Sequence, residues 1–541
     1  MTENKPLVRI GGKIMQLPDS DSISGAAAPV QVEWSATQLY QGESITGQIT
    51  NYDSETTYTV SAVLGSISIT DDVITYTADG SFGAETLTVN GRTFSITVLE
   101  FVLTDGLIGT AGEQGFGAGI YPESDLATAG LSPMTGYDDP AHDNYGNYQH
   151  TNGSVMVFVP KFYYRVGNAS APQYATYGAN SIEIVGIETF ANQAEANAAG
   201  WAMHRAFIDG GSEKSGFFID KYLSSNDGSG NAVSVKNGVP LSLTTSTSYT
   251  RTDGLTGCTG ILADAVVLGR ARGSQYNQCS AFMLGALAIL SLAHGQMATG
   301  TMACAWYDAG GTTNFPKGCN NNALGDTNDA GVSFTTAGDS GNANKPLAGS
   351  GVPFAKTTHN GQNCGVADLN GSLFDCALGI TAPGTSATST TALSNDTIYV
   401  LKESVALASL TAGWDGSTDA WGNTTHLNTL YDSVTSPHAL GSTTGTVYWG
   451  NGSNQVIDGA GSGVAWSTAG FIPKDNNATS ATGTNQFGND YLYRYNRHNM
   501  FPVAGDYWAN AAVAGVFYRL FNYTRSNGLS NAAPRASAYL Q

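Results

Sequence analysis

Histidines, cysteines and paired carboxylates hold metals or attack substrates, so their spacing is read first. Eight histidines stand singly from His142 to His498, with no His-x-His and no His-Glu-x-x-His, so a zinc hydrolase lacks its ligands. Six cysteines fall between Cys258 and Cys376 without Cys-x-x-Cys spacing, which argues against a zinc ribbon and a disulfide-held scaffold and leaves their pairing open. Asp138-Asp139 offers two carboxylates, but neighbours in sequence do not set the separation of roughly 5 to 9 Å that glycoside hydrolysis needs, and solvated turn residues are the reading adopted. The run Asp326-Thr327-Asn328-Asp329-Ala330-Gly331 is oxygen-rich and closed by glycine, as a calcium loop is, without a Glu at EF-hand spacing. A structural calcium is therefore the one ion these motifs suggest. No cofactor and no enzymatic activity are expected.

The remaining concentration of chemistry is the C-terminal stretch 515–541, GVFYRLFNYTRSNGLSNAAPRASAYLQ, where Arg519, Arg525 and Arg535 stand among aromatics and short polar residues. Most domains end in a frayed polar tail. This one reads as built into a fold.

Positioning such residues requires a large scaffold. At 541 residues the chain exceeds the size at which a single core stops growing, so two or more domains are expected. With 12% charged residues and 67 glycines it resembles neither a disordered acidic chain nor a helical bundle, and predicts short strands and many loops. The net charge of -20 repels phosphate backbones and anionic lipid, so nucleic acid is not an expected partner. The N-terminus lacks the apolar run of a secretory signal. The longest apolar run, 281–293, is shorter than the roughly 20 residues that cross a bilayer; it predicts a helix buried in a core, without membrane insertion.

Residues 1–27 hold a short Val-Arg-Ile strand and the small-residue stretch Gly25-Ala26-Ala27-Ala28, and read as an attachment segment with a hinge. Residues 28–100 alternate apolar and polar positions between Asp-Asp, Asp-Gly and Asn-Gly turns. That pattern predicts antiparallel hairpins forming a small all-β, immunoglobulin-like sandwich without the inter-sheet disulfide, a spacer by default. From residue 101 the texture changes to glycine-rich loops, isolated strands at 154–159 and 162–166, and helices at 195–206 and over the apolar run ending at His294. Long polar stretches at 312–357 and 382–395 imply a fold that accepts large irregular insertions.

Three stretches in order, Gly216-Phe217-Phe218-Ile219-Asp220-Lys221-Tyr222, Ser291-Leu292-Ala293-His294-Gly295-Gln296 and 365–375 (GVADLNGSLFD), resemble the C-type-lectin-like fold of formylglycine-generating enzymes and of the variable proteins of diversity-generating retroelements. The oxidase chemistry of the former needs a closely spaced cysteine pair late in the fold, and the last cysteine here is Cys376. The most specific match is Trp508, then Ala514-Gly515-Val516-Phe517-x-Arg519, Arg525-Ser526-Asn527 and Arg535-Ala536-Ser537, which resembles the variable region of retroelement-diversified proteins. The resemblance implies an α+β fold class: a C-type-lectin-like domain over 101–541 with large loop insertions, preceded by the sandwich, and a variable region at about 503–535.

In that family fixed residues alternate with positions derived from Asn codons. Randomising the first two bases of a codon ending in C or T cannot yield Lys, Glu, Gln, Met or Trp. Residues 503–534 contain no Lys, Glu, Gln or Met, and the one Trp, Trp508, falls on a fixed position. The resemblance implies a receptor-binding surface of Asp506, Tyr507, Ala509, Asn510, Val513, Tyr518, Leu520, Asn522, Tyr523, Ser526, Gly528, Leu529, Ser530, Asn531, Ala532 and Ala533. Trp508, Val516, Phe517, Arg519, Arg525 and Arg535 would form its scaffold, the arginines by tying loop carbonyls; contact with acidic sugars or carboxylates is their alternative role. Tyrosines suit contact, since each offers a large rigid area with one polar tip.

The N-terminal KPLVRIGGKIMQLPDSDSISGA is similar to the start of many phage tail-fibre proteins, and residues 138–164 to a segment of them. Together the resemblances imply a tail-fibre tip adhesin: a homotrimer on the virion, assembled in the host cytoplasm. It would join other phage tail proteins through its N-terminus and bind a host cell-surface protein or glycan. A polysaccharide-degrading tail fibre and a host-encoded variable surface-display protein are the alternatives; for the latter the chain shows neither a signal nor a lipid-attachment cysteine.

Overall fold

The computed structural model describes residues 7–10, 13–16, 29–40, 44–78, 83–99, 106–229, 231–242, 261–298, 316–338, 344–382, 393, 396–410, 424–435, 445–448, 490–510, 513–525 and 527–540. The chain is β-rich with few helices and divides into two compact units, Met1–Leu103 and Thr104–Gln541. The expected hinge at Gly25-Ala28 and most of the polar stretch 382–395 lie outside the described residues.

In the first unit Leu7–Ile10 pairs with Lys13–Gln16 as a hairpin. Two four-stranded sheets follow. One runs Val32–Trp34, Ser44–Ile49, Val73–Ala78, Gly65–Thr70; the other runs Gln38–Tyr40, Arg92–Leu99, Gly83–Val89, Val60–Ser61. Alternation puts every second residue inward, so Ile45 and Tyr76 of one sheet meet Leu39, Leu87, Ile96 and Val98 of the other in one core. The Asn90-Gly91 turn takes positive φ at both residues, 46° and 77°, the geometry that matches the twist of the strands it joins. One charge breaks the pattern. The Glu85 carboxylate is fully buried and accepts from Val63 N (3.0 Å), Leu64 N (2.6 Å), Thr86 N (2.6 Å) and Tyr76 Oη (2.9 Å). Burial opposes its charge, but these bonds prevail and hold the carboxyl below its ordinary value.

The second unit is organised by two six-stranded sheets. The first, antiparallel throughout, runs Leu131–Pro133, Asn147–His150, Val155–Pro160, Gly216–Asp220, Ala536–Ala538, Tyr276–Gln278. The strand closest to the C-terminus is thus an interior one, with Ser537 opposite both Ile219 and Asn277. That is why the chain ends in apolar and arginine residues. The second sheet is mixed and runs Gly445–Tyr448, Tyr491–Arg494, Arg519–Thr524, Met500–Ala504, Phe374–Cys376, Ala532–Ala533.

The apolar run forms the helix Ala281–Met297, capped by Ser280 Oγ, which accepts from Met283 N at 3.2 Å. Nearly all of it is buried, as expected of a helix apolar on every side. No described helix is long and apolar enough to cross a membrane. The helix expected over 195–206 is a correction: it spans Gln193–Ala198, because Gly200 turns the chain at φ 81° and Trp201 N returns to Ala196 O at 2.8 Å. The following residues enter a short strand, Ala202–Met203, and a single 3-10 turn, Arg205–Phe207. The polar stretch 312–357 is, where described, irregular up to a short 3-10 turn at Phe354–Thr357, and is held by isolated bridges such as Gly325 to Ser333 and Ser333 to Val352.

Candidate functional site

Arg535 is fully buried at the entrance to the last strand. Its Nε and Nη2 donate to Asp375 Oδ1 (2.8 Å) and Oδ2 (3.3 Å), Nη1 to Asp220 O (2.9 Å), and Nη2 also to Ala367 O (3.0 Å). Burial disfavours the cation, but Asp375 more than offsets it and raises the guanidinium above its ordinary value. Asp220 is paired in turn with Arg272 at 2.5 and 2.7 Å, and its Oδ2 accepts from Ala536 N at 3.2 Å. The stretches 216–222, 365–375 and 535–537 therefore meet in one buried ionic network. It fixes the backbone at the C-terminal end of the segment 503–535, and Asp375 stands opposite Ala504 near the start of that segment in the second sheet.

The other proposed scaffold residues lie as follows. Trp508 packs among Tyr222, Leu223, Cys319, Leu373 and Ala533. Val516, Arg519 and Arg525 are buried; Phe517 is half-buried, and its N–H donates to Asp490 Oδ2 at 2.8 Å. Arg519 Nη1 donates to Val516 O (2.7 Å) and Tyr518 O (2.8 Å), and burial pushes the guanidinium down to about 10.

The residues expected at the surface divide into two groups. Tyr507, Ala509, Asn510, Val513, Asn522, Tyr523, Leu529 and Asn531 are half-buried, and Gly528 and Ser530 are exposed; Ser526 lies outside the described residues. Asp506, Tyr518, Leu520, Ala532 and Ala533 are buried, which corrects their expected exposure. Each has a local cause. Tyr518 is stacked on Phe374 (5.9 Å) and packs edge-on against Tyr491 (4.7 Å). Leu520 lies in the second sheet between Val503 and Tyr493. Ala532 and Ala533 pair in parallel with Phe374 and Asp375. Asp506 sits at φ 58° after Gly505 and turns its Oδ1 back to accept from Tyr507 N (2.8 Å) and Asn510 Nδ2 (2.6 Å).

A β-bulge brings Tyr523 onto the face that Tyr518 occupies. Leu520 stands opposite Val503 and Tyr523 opposite Phe501, so the strand Arg519–Thr524 carries one residue more than its neighbour over this span. The extra residue re-aims Tyr523 onto the Tyr518 face, where its ring lies 6.4 Å from Phe374, as Tyr507 lies 5.2 Å from the same ring. Tyr491 and Tyr493, on the parallel neighbouring strand, are half-buried, whereas Leu492 between them is buried. Together these side chains form a tyrosine-lined surface over a buried aromatic floor. The sequence reading missed Tyr491, Tyr493, Tyr495 and Arg497; the alternating tyrosines of YLYRYNR were the available signal.

Beneath this surface, burial pushes the Asp506 carboxyl up to about 8. A carboxyl whose pKa is raised on folding contributes fully below its unfolded value near 3.9, and that contribution is lost as pH rises through about 8. Asp506→Asn is expected to match the wild type near pH 4 and to exceed it increasingly towards pH 8, by up to about 1.4 kcal/mol per pH unit. Urea denaturation of both proteins across that range checks it; parallel profiles would contradict it.

Elsewhere, His294 and His359 are buried, and burial pushes them down to about 3 and about 4, as neutral rings that accept from Gly112 N and Val366 N at 3.0 Å each. In the oxygen-rich loop, Asp329 is paired with Lys356 at 2.8 Å and Asp326 Oδ1 accepts from Asn328 N at 2.8 Å. Asp138 and Asp139 are exposed, and Asp139 caps the turn at Ala141 N at 2.9 Å. Among the described residues no group of three or more His, Cys, Asp or Glu side chains comes together. Cys279, Cys319, Cys364 and Cys376 are buried free thiols; Cys258 and Cys304 lie outside the described residues.

No family model and no curated protein matches the chain. Among solved structures, the Yersinia pseudotuberculosis adhesin InvE aligns over 40% of this chain and 74% of its own, at 13% identity and a TM-score of 0.11, a likeness that carries no argument.

Proposed function

We propose that the chain is a phage tail-fibre tip adhesin that binds a host cell-surface receptor through a retroelement-diversified C-terminal surface. The observation that carries this reading is the division within 503–535. Trp508, Arg519, Arg525 and Arg535 are buried, and Arg519 and Arg535 tie main-chain carbonyls, while Tyr507, Asn510, Asn522, Tyr523 and the 528–531 turn reach solvent beside them. Side chains that leave a backbone fixed by others can be exchanged without unfolding it. The convergence of two of the family-like stretches, 216–222 and 365–375, on Arg535 supports a C-type-lectin-like second unit. The first unit's strand order supports an immunoglobulin-like spacer, since one sheet follows the A-B-E-D order and the other contains G-F-C, joined by the short parallel strand Gln38–Tyr40. Assembly as a homotrimer, attached to other tail proteins through residues 1–27, would multiply weak contacts into avidity.

The surface, not its buried floor, is where receptor choice would be written. A triple variant Tyr507→Ala, Asn522→Ala, Tyr523→Ala is expected to keep the wild-type melting temperature within a few degrees. It should lose at least about tenfold in adsorption to host cells. Undiminished adsorption by a correctly folded triple variant would overturn the proposal.

A further inference from the structure

Most described arginines of the second unit are spent on the protein itself. Arg165 pairs with Glu183, Arg272 with Asp220 and Arg535 with Asp375; Arg205, Arg270 and Arg519 donate to main-chain carbonyls. Arg497 is different. Its guanidinium lies 4.0 Å from the centre of the Tyr495 ring, and its Nε donates to Asn522 Oδ1 at 3.0 Å. Its two terminal amino groups donate to nothing among the described residues, and no carboxylate neutralises it there, in a chain of net charge -20.

A guanidinium on a long side chain normally loses rotamer freedom when it takes a ligand, which weakens binding. Here the Tyr495 ring and the Asn522 amide already hold the half-buried guanidinium, leaving its two terminal amino groups without a partner among the described residues. They offer two parallel N–H donors at the spacing of the two oxygens of a carboxylate. Its position is equally specific. Asn522 immediately precedes Tyr523, and Tyr495 follows Tyr493 at the end of the strand that runs parallel to Arg519–Thr524. Adjacent Cα atoms are about 3.8 Å apart, so a fork held by Asn522 lies at the edge of the tyrosine surface that Tyr523 joins.

The geometry points to Arg497 as an anion subsite at the edge of the proposed receptor surface, taking the carboxylate of an acidic sugar while the half-buried tyrosines cover the ring. A dianionic phosphate fits this place less well, since one cation faces it and the chain as a whole repels it. The inference rests on the receptor-surface reading and names its ligand class. Because Asn522 is itself a candidate diversified position, exchange there would release the guanidinium and change the preference for charge.

The test uses the full chain and a panel of hexuronate oligosaccharides, the same oligosaccharides reduced at the carboxyl to neutral sugars, and sugar phosphates, with binding measured by calorimetry and on a printed glycan surface. The wild type is expected to retain at least one uronate at least about tenfold more tightly than its reduced counterpart. Arg497→Gln should abolish that ratio and Arg497→Lys restore it only in part, both with unchanged melting temperature. Equal retention of charged and neutral forms, preference for sugar phosphates, or a ratio unaffected by Arg497→Gln would each overturn the subsite. If neutral sugars bind in a Tyr523-dependent manner while Arg497→Gln changes nothing, the subsite fails and the receptor surface stands. Retention of no sugar counts against the acidic-sugar assignment, and against the receptor surface as well when host-cell adsorption is also insensitive to Tyr523.

Discussion

Arg535→Ala is expected to lower the stability of the second unit by about 3–5 kcal/mol, the cost of leaving a buried partner charge uncompensated. The variant strips Asp375 of its cation and leaves the carbonyls of Asp220 and Ala367 without their donors. Three remote stretches then lose their common anchor. Arg535→Lys keeps the charge but cannot reproduce the fork, so it should fall between the wild type and alanine. Chemical denaturation of the full chain, followed separately for its two transitions, measures both. A loss below 1 kcal/mol for alanine would mean that the network does not hold the C-terminal strand.

The second large effect concerns Tyr518, placed on the contact surface by the family resemblance and in the core by the fold. Its ring is 1% exposed and packed against Phe374 and Tyr491. Tyr518→Ala should cost about 3–5 kcal/mol, as truncation of a buried aromatic ring does. Tyr523→Ala, at a half-buried position of the same face, should cost less than about 1 kcal/mol and act on binding instead. Similar losses from the two substitutions would show that the difference in burial does not separate floor from surface.

The distance between those two tyrosines marks where sequence reading stops. Alternation predicts the hairpins of the first unit because a half-buried strand has a period of two and Asn90-Gly91 announces its turn. It cannot foresee that Glu85 is inside, since the donors that keep the carboxylate there come from Val63 and Leu64, more than twenty positions away. The helix Ala281–Met297 is legible because no charge interrupts its apolar run, whereas the shorter helix ends early because Gly200 outweighs the alanines around it.

At the candidate site the sequence singles out the arginines, but it does not name their partners. Arg535 reaches Asp375 across 160 positions and Asp220 across 315. Nothing local names those residues. Tyr518, Leu520, Ala532 and Ala533 look like surface residues until the strands Tyr491–Arg494, Met500–Ala504 and Phe374–Cys376 are laid beside them. The same strand register brings forward Tyr491 and Tyr493, and the bond to Asn522 brings forward Arg497, none of which a resemblance supplied.

The measurement closest to the central claim compares Tyr518→Ala with the Tyr507, Asn522, Tyr523 triple variant in one experiment, scoring unfolding free energy and host-cell adsorption for each. A scaffold that holds still while its neighbours vary predicts opposite outcomes: the buried substitution destabilises the fold, and the triple variant stays as stable as the wild type while adsorption falls. The contrary result is a triple variant that adsorbs as the wild type does, or that unfolds as readily as Tyr518→Ala; either would show that these positions do not form an exchangeable surface.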